Sequence, residues 1–255
     1  MSRLLPIALT FCLVIAGWRS VLAEDAVSTQ LKPLSFELDV QPILTARGCN
    51  QGACHGKARG QNGFQLSLLG FDSDFDYAAL TQQARGRRIF PAAPERSLLL
   101  AKAAAMLPHG GGVRLEKGSA DYEVVLKWIE QGAPRRLADE PKLVAVTVSE
   151  GSKFLRSGEG FSLKVTARYS DGSSRDVTSR TQFQSSEMGI VSVGQKSGKE
   201  TGGEADNQVE ADATRSPGWV KAGPIPGEAT IMARYMNIIA VCHVCLLYTS
   251  DAADE

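Results

Sequence analysis

Apolar residues change their spacing near residue 135, and this change predicts two regions with different secondary structure. In residues 34–134 they recur every three or four positions, which is typical of helices with one buried face. The clearest predicted helix follows Ser119 and ends before Gly132 and Pro134, because both residue types stop helices. Its apolar stripe consists of Tyr122, Val125, Leu126 and Ile129.

Two further helices are predicted in the same region. Apolar residues fall at helical spacing across Phe36–Leu44, and Ser35 is the expected N-cap. Pro42 lies inside this pattern, so the helix is expected either to kink or to start late. The second helix is expected across Glu95–Ala105, with Pro94 in its first turn.

From residue 142 onward the apolar period becomes two, as in strands with one buried face. Alternating apolar positions are Val144, Val146 and Val148, and then Phe161, Leu163, Val165 and Ala167. Tyr169–Gly172 predicts a turn between two strands, and short strands at this spacing favour an antiparallel sandwich over residues 142–244. Residues 135–141 are a charged, proline-bounded linker, and the polar, glycine-rich residues 194–216 are a predicted disordered insertion. The predicted fold class is multidomain: a small all-α domain, 34–134, and then an all-β Ig-like sandwich.

The two ends of the chain carry different signals. Residues 1–23 predict a secretory signal peptide, because a positive start precedes the short apolar run Leu4–Gly17 and the small residues of Val21–Ala23. An uncleaved anchor is the alternative. We therefore expect export to the periplasm or cell surface, where thiols are oxidised or covalently modified. Residues 245–255 look like a translated sequencing adapter, so this tail is predicted to be non-native and the natural protein to continue past Val244.

Composition argues against several functions. The chain of 255 residues contains 28 basic and 28 acidic residues, so its formal charge is zero. A neutral chain without a basic run gives no electrostatic basis for binding nucleic acid, and none for strong membrane association after signal cleavage. No nucleophile–base set or carboxylate pair stands out, so this part of the protein is not expected to be an enzyme.

The stretch RGCNQGACHGKARG holds the most specific chemistry, Cys49-x4-Cys54-His55. Two cysteines followed directly by a histidine can attach haem covalently and place that imidazole next to the iron, although the usual spacer is two residues. A disulfide between Cys49 and Cys54 is an alternative for an exported pair. A third is a metal site such as zinc, for which no fourth ligand is evident.

A sixth iron ligand is expected in the loop that precedes the last predicted helix. His109 is the preferred candidate because it lies beside three glycines, where a histidine is an unusual core residue. Met106 is the alternative, and methionine would give a higher reduction potential than histidine. Arg85, Arg87 and Arg88 form a basic cluster that could pair with haem propionates or could be an ordinary solvated surface.

These residues resemble the planctomycete-type cytochrome c domain across Phe36–Pro134. The resemblance rests on FELDVQPILTARGCNQGACHG, NGFQLSLLGFD, GRRIFPAAPERSLLLAKAAAMLPHGGG and DYEVVLKWIEQGAP. It implies covalent haem c at Cys49 and Cys54 and His55 as an axial ligand. The four-residue spacer, and His109 where a methionine-proline loop is common, depart from the plainer cytochromes.

Residues 142–244 resemble a bacterial Ig-like domain of group 2, through VTVSEG, FSLKVTARYSDGSSRDVTS and GEATIMARY. In proteins with this domain order, two large domains of unknown function follow. The resemblance thus implies that this chain is the front part of a longer protein.

The resulting functional expectation is an exported electron carrier with an Ig-like spacer or adhesion module. Its partner is expected to be a redox protein or downstream domains of the same chain. The alternative is a non-redox surface-binding or scaffold protein in which Cys49 and Cys54 form a disulfide. A haem sensor or peroxidase is a third hypothesis, favoured if the sixth iron position is empty.

Overall fold

Helices occupy the first part of the chain and strands the second in the computed structural model, which describes residues 32–56, 59–194 and 217–248. The predicted signal peptide at 1–23 lies outside the described residues, as does almost all of the predicted insertion. Of the predicted non-native tail, residues 245–248 are described, and residues 249–255 lie outside.

Ser35 caps the first helix as predicted, because its Oγ accepts a hydrogen bond of 3.2 Å from the backbone N–H of Leu38. The helix begins as a π-helical turn, Phe36–Val40, and continues as α1, Gln41–Ala46. Pro42 lies in the first turn of α1, directly after the π-helical turn, and it has no N–H to donate back into that turn. The change of helix type is thus the irregularity that the proline predicted.

Three further α-helices and four short 3₁₀ turns complete the helical elements of the described residues. The helices are α2, Ser73–Thr81; α3, Leu98–Ala103; and α4, Ala120–Glu130. The 3₁₀ turns are Leu68–Gly70, Gln83–Gly86, Pro94–Arg96 and Thr178–Arg180. The helix predicted across Glu95–Ala105 is interrupted, because Ser97 is extended and its Oγ accepts a hydrogen bond of 2.9 Å from Phe90 N.

Ten strands follow in the described residues. They are β1, Leu143–Val148; β2, Ser152–Leu155; β3, Gly160–Ser162; β4, Val165–Tyr169; β5, Ser174–Asp176; β6, Gln182–Ser185; β7, Val191–Val193; β8, Trp219–Ala222; β9, Gly227–Tyr235; and β10, Ile238–Leu246. They form three sheets, in the orders β1-β4-β5, β2-β10-β9-β6 and β3-β8-β7. The β10–β2 pair is parallel, whereas the sequence predicted antiparallel pairing throughout.

The apolar alternation across Phe161–Ala167 predicted one strand, and here the chain instead passes from one sheet to another. The N–H of Leu163 donates to Gly218 O beside β8 at 2.8 Å. The next carbonyl, Lys164 O, accepts from Ser149 N beside β1 at 2.9 Å. The residues of this apolar alternation therefore pair with two different sheets. This division helps to explain why three sheets form where a two-sheet sandwich was expected.

The predicted fold class, a separate all-α domain followed by an all-β sandwich, is wrong. The chain is a mixed protein, about 26% helix and 27% strand. Residues Pro33–Glu255 form a single compact unit. Leu38, on the first helical turn, packs within the apolar cluster of the sheets, so the helices and the strands share buried contacts.

Two apolar clusters hold this unit together. The sheet cluster includes Leu163, Phe183 and Tyr235, and the helical cluster includes Phe36 and Trp128, all almost fully buried. No helix among the described residues is long and apolar enough to cross a membrane.

Candidate functional site

A cavity of about 480 Å³ in the helical region brings together four of the predicted site residues, Cys49, Cys54, His55 and His109. Met106, the alternative ligand, is 44% exposed and is not part of the cavity wall. Apolar side chains form much of that wall: Leu44, Ala53, Phe64, Leu66, Leu80, Leu98, Leu99, Ala103 and Pro108.

The loop that carries the cysteines is closed by its own backbone. It leaves α1 with a hydrogen bond of 2.9 Å from Cys49 N to Leu44 O. Its far end returns when His55 N donates to Cys49 O at 3.0 Å. Gly56 follows, and a Cβ atom there would lie 1.9 Å from Asn50 O, so only glycine fits. The four-residue spacer therefore forms a compact turn that keeps Cys49 and His55 together.

His55 is held in one tautomer. Its Nδ1 lies 3.0 Å from Phe64 O, and because a carbonyl only accepts, Nδ1 carries the proton. Burial lowers the pKa of His55, so the ring is neutral at neutral pH. Its Nε2 has no hydrogen-bond partner among the described residues and keeps its lone pair for a metal or another donor.

His109 is arranged in the same way on the opposite loop. Its Nδ1 lies 2.9 Å from Gly112 O, and because a carbonyl only accepts, this Nδ1 also carries a proton. The loop folds back because Arg114 N donates to Ala103 O at 2.7 Å. The two imidazole centroids are 6.2 Å apart and their planes differ by 10°. The cavity therefore offers two nitrogen ligands whose second nitrogens are both tied to carbonyls.

Both cysteines of the motif are free thiols in this structure, so the disulfide alternative is not formed here. Burial raises the pKa of the Cys49 thiol to about 12. The Nη2 of Arg114 donates to the Sγ of Cys54 over 3.8 Å. No three His, Cys, Asp or Glu side chains converge on a metal-ion position within the described ranges, so the zinc alternative gains no support from them.

The cavity wall is positively charged. Arg87, Arg88, Lys102 and Arg114 line it, and no acidic residue in the described part of the chain does. Arg88, Lys102 and Arg114 donate to backbone carbonyls, whereas Arg87 has neither a hydrogen bond nor an ion pair with any described residue. Arg85, the third member of the predicted basic cluster, is not in the wall.

Sequence reasoning missed Lys102 and Arg114. Lys102 could have been found, because it follows the wall residues Leu98 and Leu99 by four and three positions, which places all three on one side of α3. Nothing in the sequence near Arg114 indicates its contact with Cys54, sixty residues earlier.

Comparisons with known proteins identify little about this chain. No protein-family model matches it, and no curated protein matches it. Among solved structures, domains 4 and 5 of the S-layer protein SbsC are similar at 15% identity over 43% of this chain, with a TM-score of 0.30. A longer SbsC structure, rSbsC(31-844), gives 15% identity over 45% of this chain and a TM-score of 0.31. The chain covers 54% of the first structure and 14% of the second.

Proposed function

We propose that this chain is an exported c-type cytochrome-like protein that holds haem covalently in the cavity and transfers single electrons. The observation that carries this proposal is the presence of Cys49, Cys54, His55 and His109 in the wall of one cavity. Neither a disulfide nor a scaffold role requires a second histidine in the cavity whose Nε2 has no hydrogen-bond partner among the described residues.

Three features of the cavity support haem as its ligand: the volume, the basic wall and the spacing of the two histidines. A volume of about 480 Å³ lies within the ordinary range of small-molecule sites, roughly 300–1,000 Å³. Two imidazoles that bind one metal at about 2 Å each have ring centres roughly 6 Å apart, close to the 6.2 Å between His55 and His109. Arg87, free of other partners among the described residues, would pair with a propionate.

The two thiols would make the covalent attachment. Each would hold the ring through a thioether to a vinyl group; the thiol hydrogen would end on the other vinyl carbon, so no oxidant would be consumed. The raised pKa of Cys49 keeps this thiol protonated at neutral pH.

Haem, when bound, supplies an iron centre that gains or loses one electron at a time. The protein would supply two imidazole nitrogens, while the carbonyls of Phe64 and Gly112 accept the Nδ1 protons of His55 and His109. With two histidines the reduction potential would be lower than with Met106 as a ligand.

The location and the partner belong to the same proposal. The leader-like sequence of residues 1–23 supports an exported chain. We place it more finely in the periplasm or on the cell surface. The partner is a redox protein or a downstream domain of the same chain.

The test is expression in a host that attaches haem to cytochromes, followed by acid-acetone extraction and intact-mass measurement. We expect a Soret band that survives extraction and a mass increase of one haem, both lost when Cys49→Ala and Cys54→Ala are combined. A colourless chain with an intact Cys49–Cys54 disulfide would overturn the proposal and favour the scaffold alternative.

A second comparison tests the sixth ligand. His109→Ala should convert a low-spin spectrum to high-spin, whereas the matched variant Met106→Leu should leave it unchanged. If Met106→Leu alone changes the spectrum, the ligand assignment is wrong. A wild-type spectrum that is already high-spin would favour the sensor or peroxidase hypothesis.

A further inference from the structure

Two polar contacts join the sheet region to the helices that carry the cysteine loop. Gln182, the first residue of β6, donates its Nε2 hydrogen to Thr45 O near the end of α1, over 3.0 Å. Arg180, in the 3₁₀ turn before β6, places its Nε 3.7 Å from the Asp121 carboxylate in the first turn of α4. Both contacts come from residues within a short segment that precedes and begins one strand.

Thr45 connects the first contact, from Gln182, to the cysteine loop. Its carbonyl also accepts from Gly48 N at 3.0 Å, just before Cys49. Its hydroxyl accepts a hydrogen bond of 2.7 Å from Asn50 Nδ2. Asn50 lies between the two cysteines and is only 1% exposed. One threonine thus ties the side chain of Gln182 to the interior of the loop.

Asp121 connects the second contact, from Arg180, to the start of the cysteine loop. Its Oδ2 accepts from Arg47 Nε at 2.9 Å and from Arg47 Nη2, while its other oxygen faces Arg180. Arg47 precedes Cys49 by two residues. The Arg47 and Asp121 side chains are nearly buried, so this ion pair is screened little by solvent and fixes where the loop leaves the helix.

We infer that the sheet region positions the Cys49–His55 loop, with Gln182 and Arg180 as positioning residues. The sheet region is then part of the functional site and not a passive spacer. The positioning of the loop stands on the contacts alone. Its consequence for an iron centre, a reduction potential that depends on Gln182, rests on the proposed function.

The first experiment uses the full chain made without haem attachment and measures hydrogen exchange of the loop amides. Gln182→Ala should accelerate exchange at the Cys49 and His55 amides by roughly three- to ten-fold, the effect of one lost hydrogen bond. The matched control is Gln184→Ala, because Gln184 is exposed on the same strand and has no hydrogen bond to another described side chain. Equal exchange in the two variants would overturn the inference.

Arg180 supplies a second, independent pair of variants. Arg180→Ala should accelerate exchange at the same amides about two- to three-fold, since its contact with Asp121 is longer and partly exposed. Arg180→Lys should restore much of the protection. Arg168→Ala, at an exposed arginine of β4, should change nothing. Exchange at the loop that is unaffected by Arg180→Ala would remove Arg180 from the positioning set.

The haem-loaded protein then separates this inference from the proposed function. Gln182→Ala should shift the midpoint potential relative to Gln184→Ala. If no haem attaches but the exchange difference is present, the proposed function fails and the positioning role stands. If haem attaches and exchange is the same in both variants, the positioning role fails and the proposed function stands.

Discussion

The helical and sheet regions differ in the regularity of their backbones. Among the described non-glycine residues, a positive φ occurs at six positions before residue 135 and at one after it. The six are Asn62, Leu69, Ala84, Arg85, Ala105 and Ala133, and the one is Met236. Left-handed backbone costs roughly 1–2 kcal/mol per L-residue. The helical region bears that cost and gains sharp turns, and its loops converge on the cavity.

The sheet region has a regular backbone. Its strands alternate buried and exposed positions, as in β4, where Val165, Ala167 and Tyr169 are buried and the residues between them are exposed. Its apolar cluster is continuous across the sheets. The candidate site residues therefore lie where the backbone is irregular. The regular sheet region contributes a buried apolar core, and Gln182 and Arg180 hold the cysteine loop in place from that side.

The largest expected effect on stability comes from breaking the ion pair between Arg47 and Asp121, which also contacts Arg180 of the sheet region. Asp121→Asn leaves Arg47 buried without a full charge partner, so we expect a loss of about 3–5 kcal/mol in the free energy of unfolding. Urea unfolding monitored by Trp128 and Trp219 fluorescence would measure it, with one tryptophan in each region. Glu123→Gln, in the same helical turn, is the control and should cost less than about 1 kcal/mol.

Because Pro33–Glu255 is one compact unit, both tryptophans should report the same midpoint in the unmodified chain. Two separate transitions would show that the helical and sheet regions unfold independently of each other.

Two leucines compare the packing of the regions directly. Leu163 is fully buried in the sheet cluster, whereas Leu66 lies in the cavity wall. We expect Leu163→Ala to cost about 3–4 kcal/mol and Leu66→Ala about 2 kcal/mol, because only the first leaves a new closed void. Chemical denaturation of both variants provides the measurement, and an equal or reversed order would contradict the expected difference in packing.

A smaller effect tests the irregular backbone. Ala84→Gly relieves a residue at φ 52° and should stabilise the protein by about 0.5 kcal/mol, after the added chain entropy of the unfolded state is subtracted. Ala78→Gly, inside α2, should destabilise it by about 0.5–1 kcal/mol. The same sign for both substitutions in thermal unfolding would argue against strain at Ala84.

The smallest effect concerns pH. Burial alone would raise the pKa of Glu37, but hydrogen bonds from Arg136 and Arg135 more than offset it, so the pKa lies below its ordinary value of 4.5. This stabilisation is present above pH 4.5 and is lost as pH falls through the lowered pKa. Glu37→Gln should therefore lose less stability than the unmodified chain between pH 6 and pH 3, by a few tenths of a kcal/mol. Urea titrations across that range would detect it, and parallel curves would refute it.

Local signals in the sequence predicted the local structure well. Ser35 and Ser119 both act as N-caps at the predicted helix starts. Tyr169–Gly172 turns between β4 and β5 as expected, with Gly172 at φ 80°. Each of these features depends on neighbours within a few residues, and propensity and capping therefore suffice to find them.

Features that depend on distant partners were not predictable. The alternation through Leu163 is the same whether one sheet or two receive it, so the sheet change left no trace in the pattern. The parallel pairing of β2 with β10 joins residues about ninety positions apart. Strand propensity does not identify such partners. This is why the layer arrangement was wrong although most individual elements were found.

The same division holds for the candidate site. Cys49, Cys54 and His55 follow from one short motif, and His109 followed from the unusual glycines beside it. Their presence around one cavity depends on long-range folding, as do the contacts of Arg114 and Gln182. The sequence therefore supplied candidate ligands, and only the structure related them to their surroundings.

The hydrogen bond from Gln182 to Thr45 has a practical consequence for anyone who dissects this protein. A fragment that stops at Pro134 would retain every cysteine and histidine of the cavity, yet it would expose the end of α1 to water where an amide side chain now covers it. Structural or binding measurements on such a fragment would describe a looser pocket than the one in the longer chain.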